Sequence, residues 1–291
     1  MTDRAVHRES APVETPSGKD AAYENFPVGS WLLPAHLRPH IAAFYRFARA
    51  IDDIADNPGL AADDKIARLE GFEQALMGEN AGDSAFATGH RMAESLAATG
   101  VPTRHCLDLI DAFKQDAVKN RYADWSELIR YCERSAAPVG RYLIDLHGGS
   151  AIGYGPSDAL CNALQVINHL QDCKADFEEM DRVYLPANWM RETGVGVAAL
   201  GAAKATPALR HVLDRCLDGA EAMLAESHRL PPGIKSRRLG MESAAIIRIA
   251  EKLCEKLRRE DPVAGRVALG KGGYLWHCAR GVVPVWLGLW R

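Results

Sequence analysis

The chain has 291 residues and a formal net charge of −3, with 47% hydrophobic and 25% charged residues. These values are typical of a globular protein with a sizeable core. They argue against a nucleic-acid-binding protein, which usually carries a clustered basic face. The seven cysteines are scattered and form no Cys-x-x-Cys pair, which disfavours a disulfide framework or a zinc site and predicts a reducing, cytoplasmic compartment.

The amino-terminal segment differs in composition from the rest of the chain. Residues 1–20 are polar and rich in Pro and Ser, which predicts a disordered leader and not a secretory signal. From Pro34 onward helical periodicity dominates, and neither a linker nor a repeat divides the chain. We therefore predict one all-α domain over residues 21–291.

The predicted helices are bounded by breaks rich in Gly, Pro and Asn, such as Asn57-Pro58-Gly59. Strand-like alternation is nearly absent. In chain order the helices cover residues 35–55, 62–77, 84–98, 103–117, 124–134, 138–149, 156–179, 186–192, 207–228, 241–259 and 273–280.

The first helix carries an acidic motif in an otherwise apolar stretch. Asp52 and Asp56 are four residues apart, so they are neighbours on one helix face, roughly 5–6 Å apart at Cβ. At that separation two carboxylates repel by roughly 3 kcal/mol at an effective dielectric constant of about 20. Tyr45 and Arg49 extend the same stripe. The stripe predicts a cavity or a second polar helix facing it, although Arg49 could also be a simple ion-pair partner of the aspartates.

A second acidic motif follows about 120 residues later, on the helix predicted at 156–179. Its polar side chains keep steps of three and four residues and are Gln165, Asn168, Asp172, Asp176 and Glu179. Amide and carboxylate oxygens are ligands that suit Mg²⁺ better than Zn²⁺. A buried polar network that holds two helices in register would explain the same pattern.

A third pair of aspartates shows that this spacing alone is a weak signal. Asp214 and Asp218 are also four residues apart, but they fall on the polar side of a helix whose leucines form one apolar stripe. That pattern is typical of an ordinary amphipathic helix with a solvated acidic face. We therefore expect no site at this pair.

The last segment, 273–291, is dense in Trp and Val. Its uninterrupted apolar part, Gly281 to Trp290, is too short to span a bilayer and contains Pro284. The segment could pack on the domain, or it could lie at a membrane interface with its tryptophans at the level of the headgroups. The sequence leaves both alternatives open.

Two carboxylate pairs facing each other across a helical cavity would suit Mg²⁺ and a polyphosphate. Mg²⁺ commonly binds through one or two carboxylates plus substrate phosphates, and it would act as a Lewis acid on a departing diphosphate. The apolar helix faces below would line a pocket for a hydrocarbon chain. Aromatic rings could stabilise a carbocation in that pocket, with Phe26, Phe44, Tyr45 and Tyr131 as candidates.

Three segments make the chain similar to a known family. They are FYRFARAIDDIAD (44–56), YCERSAAPVG (131–140) and ALQVINHLQDCKADFEEMDRVYLP (163–186). Over roughly Tyr23 to Lys271 the sequence resembles the squalene/phytoene synthases, which are trans-isoprenyl diphosphate synthases that join prenyl chains head to head. The resemblance implies an isoprenoid-synthase-type helical bundle around a central cavity.

The resemblance also implies roles for particular residues. The metal ligands for Mg²⁺ would be Asp52, Asp56, Asp172 and Asp176. The catalytic candidates are Tyr45, Tyr131 and Asn168. Substrate contacts are expected from Asn25, Phe26, Arg49, Gln165, Arg266 and Lys271.

Departures from the family pattern point to a subgroup. Relatives commonly have Ser-x-Ser-Phe where this chain has Tyr23-Glu24-Asn25-Phe26, and they often have Arg where this chain has Gln171. The segments ENFPVGSWLLP, FYRFARAIDDIADNP and RSAAPVG look most like the bacterial hydroxysqualene synthases of hopanoid biosynthesis. Those enzymes convert presqualene diphosphate and water to hydroxysqualene and diphosphate. On that reading, we hypothesise that Tyr45, Asn168 or Gln165 positions the attacking water.

Two other functions remain as alternatives. One is a sister activity that condenses two prenyl diphosphates to presqualene diphosphate, squalene or phytoene. The other is a non-catalytic lipid-binding or assembly protein, against which the intact acidic positions and Arg49 argue. For the preferred function we expect a prenyl diphosphate substrate, association with other enzymes of the pathway, and peripheral contact of the carboxy-terminal tail with the cytoplasmic membrane. No nucleic-acid partner is expected.

Overall fold

The computed structural model describes residues 13–16 and 32–290, and within them the protein is a helical bundle. This confirms the all-α prediction. The helices are α1 (Arg38–Asp56), α2 (Ala62–Met77), α3 (Ala87–Thr99), α4 (Arg104–Asp116), α5 (Trp125–Ser135), α6 (Ala137–Leu146), α7 (Tyr154–Gln171), α8 (Cys173–Met180), α9 (Ala187–Glu192), α10 (Pro207–Ser227), α11 (Leu230–Gly233), α12 (Arg237–Arg259) and α13 (Lys271–Leu287). Most bounds lie within two or three residues of those predicted.

Helix ends follow local chemistry. Asp124 caps α5 by accepting the backbone N–H of Glu127 at 2.8 Å, and Thr206 caps α10 in the same way from Leu209. Gly100 ends α3 with a φ of 71°, a left-handed conformation that favours glycine. These signals explain why the sequence located the breaks well.

Helix α7 lies at the centre of the bundle and packs against α5, α6, α10 and α12. Helix α1 packs against α2, α3 and α4. One continuous apolar core runs through both groups. The two helices that carry the acidic motifs are therefore interior helices, and their polar stripes must face something other than bulk core.

A pair of short parallel strands was not predicted. Strand β1 (Arg121–Tyr122) follows α4, and β2 (Val183–Pro186) follows α8. Strands of two and four residues are too short to show a periodic pattern. Their pairing brings the end of α4 beside the end of α8, which matters for the site below.

The single helix predicted at 156–179 is wrong in one respect, because it breaks at Asp172. This residue has φ −105° and ψ 7° and separates α7 from α8. Backbone hydrogen bonds continue on both sides, from Asp172 to Asn168 (3.0 Å) and from Asp176 to Asp172 (2.8 Å). The second acidic motif therefore lies across a bend.

The last helix is longer than the predicted 273–280, since α13 runs through Pro284 to Leu287. Its Gly281 lies so close to α12 that a Cβ would collide with the backbone of Ala244 and Ala245. One face of the tail is thus packed on the domain, while much of the other face is exposed. Within the described residues, no helix combines the length and apolar character needed to cross a membrane.

Candidate active site

The first motif forms one half-exposed stripe on α1. Tyr45, Arg49, Asp52 and Asp56 are partly exposed, whereas the residues between them are mostly buried. The guanidinium of Arg49 donates to Asp52 Oδ2 at 2.8 Å and lies 6.0 Å from the centroid of the Tyr45 ring. The ion pair that the sequence allowed for Arg49 is therefore present in the structure.

Arg182 is the counter-charge of Asp56, and the sequence analysis did not single it out. Its side chain is 5% exposed and pairs with Asp56. It also donates to the carbonyl oxygens of Ala55 (2.8 Å) and Asp116 (3.1 Å), which lie at the carboxy-terminal ends of α1 and α4. A cation there offsets the negative ends of both helix dipoles.

The same residue connects the two acidic motifs. While the Arg182 side chain binds Asp56 on α1, its backbone N–H donates to the carbonyl oxygen of Asp176 at 3.0 Å. Asp116 and Asp176 both raise the pKa of Tyr184, after the larger effect of burial. The two motifs, 120 residues apart in the chain, therefore meet around Arg182 and Tyr184.

The pKa of Asp52 shows the effect of this concentration of negative charge. Its side chain keeps 31% of its surface accessible, yet protein surrounds it on its other sides. That burial raises the pKa of Asp52 well above its usual value, and the negative charge of Asp56 raises it further, while Arg49 opposes both. A cation bound beside this carboxyl would lower its pKa again.

The second motif is held by the segment that leads into α13. Asn168, Asp172 and Asp176 are partly exposed on the bend between α7 and α8. Arg266 Nε lies 3.4 Å from Asp172 Oδ1. Next to it, the buried Gln171 side chain donates to the carbonyl oxygen of Val267 at 2.5 Å. Gln171 thus ties the segment that carries Arg266 to the bend beside Asp172.

Tyr131 lies in a buried polar and aromatic cluster next to the site. It is 2% exposed, and its hydroxyl donates to Asp116 Oδ2 at 2.6 Å. Tyr184 donates to the other oxygen of Asp116 at 3.5 Å, and its ring stacks on His169 with centroids 3.6 Å apart. Burial raises the pKa of Asp116 to about 7 and lowers that of His169 to about 3. His169 is therefore neutral at ordinary pH.

Asp116, Arg182 and Tyr184 are the site residues that sequence reasoning missed. None belongs to a repeated spacing, and each reaches the site through a contact distant in sequence. Arg182 and Tyr184 do lie within the segment 163–186 that carries the family resemblance. That resemblance was the available signal for them, whereas nothing in the sequence marked Asp116.

The structure places the remaining candidates differently. Phe44 is a core residue and not a wall of the site, since it is buried and stacks on Tyr142 with centroids 3.9 Å apart. Gln165 is partly exposed on the stripe of α7, and Lys271 is the exposed first residue of α13. Asn25 and Phe26 lie outside the described residues.

The donor set fits Mg²⁺, although no cluster is preformed. Among the described residues, no group of three or more His, Cys, Asp or Glu side chains is arranged to hold a metal ion. Asp52, Asp56 and Asp172 are each paired with an arginine instead. Mg²⁺ needs only one or two carboxylates together with phosphate oxygens, and the raised pKa of Asp52 marks a place where a cation would relieve repulsion.

The comparison pair on α10 behaves as an ordinary surface. Asp214 pairs with Arg210 at 3.0 Å, and Asp218 pairs with Arg258 at 2.6 Å. Asp218 is largely exposed. The same four-residue spacing thus gives surface ion pairs here, whereas on α1 one carboxyl, that of Asp52, is crowded enough for its pKa to rise.

Comparisons with known proteins agree with this arrangement. The family model for squalene/phytoene synthase matches residues 20–272. The chain belongs to the squalene/phytoene synthase family, whose members process isoprenyl diphosphates and generally depend on a divalent metal. The family resemblance and the helical-bundle fold expected from the sequence are confirmed.

Two curated relatives and one solved structure show the similarity in more detail. A protein named hydroxysqualene synthase from Rhodopseudomonas palustris is 42% identical over 256 residues, covering 88% of this chain and 87% of that protein. One of the same name from Sinorhizobium fredii is 41% identical over 254 residues, covering 87% and 86%. A crystal structure described as squalene synthase HpnC from Alicyclobacillus acidocaldarius has a TM-score of 0.70 at 31% identity, covering 80% and 87%.

Proposed function

We propose that this protein converts presqualene diphosphate and water to hydroxysqualene and diphosphate, in the presence of Mg²⁺. The two curated relatives above, both named hydroxysqualene synthase and both covered over most of their length, support this choice within the family. The observation that carries the proposal is the partly exposed acidic region in which both motifs approach Arg182. It is of a kind that binds a diphosphate with its cations.

Metal binding and phosphate contact are assigned to different residues. Asp52, Asp56, Asp172 and Asp176 would hold Mg²⁺, which when bound supplies Lewis-acid stabilisation of the leaving diphosphate. Arg49 and Arg266 are partly exposed beside these aspartates. Their planar guanidinium groups suit bidentate contact with phosphate oxygens. On substrate binding they would exchange a carboxylate partner for the diphosphate.

After ionisation the proposed reaction needs one water molecule. The carbon–oxygen bond to the diphosphate breaks with both electrons leaving on the diphosphate, and the carbocation rearranges. Water then forms a new carbon–oxygen bond and loses one proton, so one water is consumed for each diphosphate released. Tyr45, Asn168 and Gln165 lie on the half-exposed stripes and offer the hydroxyl and amide groups that would position this water.

Presqualene diphosphate must come from an enzyme that condenses two prenyl diphosphates, and the alcohol must pass to an enzyme that reduces it. We infer a cytoplasmic location and association with those two enzymes. Both substrate and product carry long hydrocarbon chains with little affinity for water. Transfer at or near the cytoplasmic membrane would therefore favour the reaction sequence.

The decisive experiment offers presqualene diphosphate and farnesyl diphosphate separately, with Mg²⁺, without a nicotinamide cofactor and in ¹⁸O-labelled water. We expect an alcohol carrying ¹⁸O from presqualene diphosphate, and no turnover of farnesyl diphosphate, by mass spectrometry. Conversion of farnesyl diphosphate would assign the sister condensing activity instead. Absence of diphosphate release from either compound would favour the non-catalytic alternative.

In the same assay the Tyr45→Phe variant tests the positioning of water. Loss of the hydroxyl should lower the labelled alcohol or divert the cation to another product. An unchanged rate and product ratio would remove Tyr45 from this role and leave Asn168 and Gln165.

A further inference from the structure

We propose that the exposed face of α13 docks on a lipid bilayer that contains anionic headgroups. The proposal deepens the function above, because it names the surface at which a long-chain substrate would be exchanged. Its test is a binding measurement without substrate, so it can fail while the proposed reaction stands.

The exposed face of α13 is a continuous apolar surface. At 100° per residue, its members fall within an arc of about 120° on the helix. They are Leu275, Trp276, Ala279, Val283, Trp286 and Leu287, and the large ones are each at least 46% exposed. Gly281 and Val285, on the opposite side, are buried against α12. One face thus holds the helix to the bundle while the other is left in water.

The tryptophans of this face differ from others in the chain. Trp125 and Trp189 stack on each other with centroids 5.4 Å apart, and Trp290 donates to the carbonyl oxygen of His228 at 3.0 Å. Trp276 and Trp286 are instead 63% and 61% exposed. Tryptophan is enriched at the level of lipid headgroups, where its ring is partly buried and its N–H stays hydrated.

Large exposed hydrophobic side chains are concentrated here. Of the nine in the described residues, six lie between Leu275 and Leu289, and the other three are Met77, Val118 and Ile152. Those three are single residues on separate elements, which is normal for a protein surface. A cluster of six on one helix and its end is typical of an interaction site.

The charge around this face favours an anionic partner. After Asp261 the chain has no acidic residue and four basic ones, although its overall net charge is −3. The segment 229–241 adds four basic residues and no acidic one, and its Arg237 donates to the carbonyl oxygen of Trp286. Positive charge therefore borders the carboxy-terminal end of the apolar face, as in amphipathic helices that bind anionic lipid surfaces.

Beside the middle of α13, the groups that border the apolar face carry charges of both signs. His277 faces Arg280 and Lys252 as well as Glu255 and Glu251. Arg229 is partly neutralised by Glu226. Exposed positive charge is densest at the end near Trp286, where Lys235, Arg237 and Arg238 lie, and Lys271 adds one charge at the other end of the helix. In a symmetric pairing with parallel α13 helices these positive ends would repel each other, and self-association in the antiparallel sense is an outcome of the test below.

Docking would also bring lipid close to the active site. Arg266 lies beside Asp172, and α13 begins five residues later at Lys271. Five residues span at most roughly 18 Å. A bilayer on α13 would therefore lie near the acidic motif on the bend between α7 and α8, from which a long hydrocarbon chain could enter or leave.

The test is vesicle flotation of the full chain without substrate. Vesicles of phosphatidylcholine with about 30% phosphatidylglycerol are compared with pure phosphatidylcholine. We expect the wild type to float with the anionic vesicles and to bind the neutral ones several-fold less. The double variant W276S/W286S should lose about tenfold in bound fraction, while its far-ultraviolet circular dichroism and thermal transition stay those of the wild type.

The matched control is M77S/I152S, which removes two exposed apolar side chains elsewhere (59% and 90% exposed) and should bind like the wild type. Equal binding by W276S/W286S and wild type, or no binding by the wild type, overturns the proposal. Equal binding to neutral and anionic vesicles overturns its electrostatic part. A wild-type dimer in light scattering that dissociates in W276S/W286S would assign the face to self-association instead.

Discussion

Asp116 is a buried carboxyl group that accepts hydrogen bonds from two tyrosine hydroxyls. It accepts from Tyr131 at 2.6 Å and from Tyr184 at 3.5 Å. Burial raises its pKa from 3.8 to about 7, although Arg182 acts in the opposite direction. Between those two values the folded protein binds the proton of Asp116 more tightly than the unfolded chain does.

The free energy of unfolding should therefore fall as pH rises from about 4 to about 7, because the unfolded state releases this proton first. The contribution is on the order of 2–4 kcal/mol, since one pKa unit corresponds to about 1.4 kcal/mol. Asp116→Asn removes the titration but keeps an acceptor for Tyr131. Denaturant unfolding at about pH 5 and about pH 8 should show a smaller difference in the variant. An unchanged difference would mean that Asp116 is ionised in the folded protein at both pH values.

Replacing an acidic residue of either motif should abolish turnover and leave the fold intact. Asp52→Asn or Asp176→Asn is expected to lower diphosphate release from presqualene diphosphate by about 10²-fold or more, because a metal-binding charge is lost. Asp214→Asn, which removes one carboxylate from the same spacing on α10, should stay within about twofold. Full activity of both motif variants would reject the metal-site assignment.

The packing of α13 on α12 depends on one glycine. The two helices run antiparallel, with Gly281 beside Ala244 and Arg237 beside Trp286. At Gly281 an added Cβ would meet backbone atoms, which cannot move aside as a side-chain end can. At Gly273, on the same helix, nothing lies within 4 Å of an added Cβ.

Gly281→Ala should loosen α13 at a cost of roughly 1–3 kcal/mol. Gly273→Ala should be neutral or stabilising by up to about 1 kcal/mol, since alanine favours a helix over glycine. Amide hydrogen exchange of α13 measures the difference directly. Similar protection in the two variants would show that the close approach to Ala244 does not hold the helix.

The bend at Asp172 changes how the second motif presents its carboxylates. On a straight helix Asp172 and Asp176 would simply lie one above the other. Here Asp172 belongs to neither helix and pairs with Arg266, while the backbone carbonyl of Asp176 accepts from Arg182. The two halves of the motif are therefore tied to two different parts of the chain.

At the scale of the whole molecule, the helices were largely predictable from the sequence. Predicted 62–77 matches α2 in full, and 35–55 differs from α1 by three residues at the start and one at the end. The sequence marks their boundaries, since α1 has a proline in its first turn and α2 ends at Gly78 in the left-handed conformation. The strands β1 and β2, the bend at Asp172 and the extension of α13 past Pro284 were not predicted, because tertiary contacts decide each of them.

The site was predictable only in part. The stripes of α1 and α7 could be predicted because helical spacing fixes which side chains share a face. The counter-charge of Asp56 could not, since Arg182 reaches Asp56 across 126 residues and the carbonyl oxygen of Asp116 across 66. The roles assigned to Tyr45, Tyr131 and Asn168 stay predictions, as do the expected leader and the substrate contacts of Asn25 and Phe26.

The contact between Arg182 and Asp56, which are 126 residues apart in the chain, has a consequence for folding during translation. During translation α1 and α4 leave the ribosome well before residue 182 does. Until then Asp56 and the carboxy-terminal carbonyls of both helices lack the Arg182 guanidinium, although Arg49 already lies beside Asp52. Contacts so distant in sequence tend to form late. We therefore expect the ends of α1 and α4 to be fixed together only after the strand that follows α8 has been made.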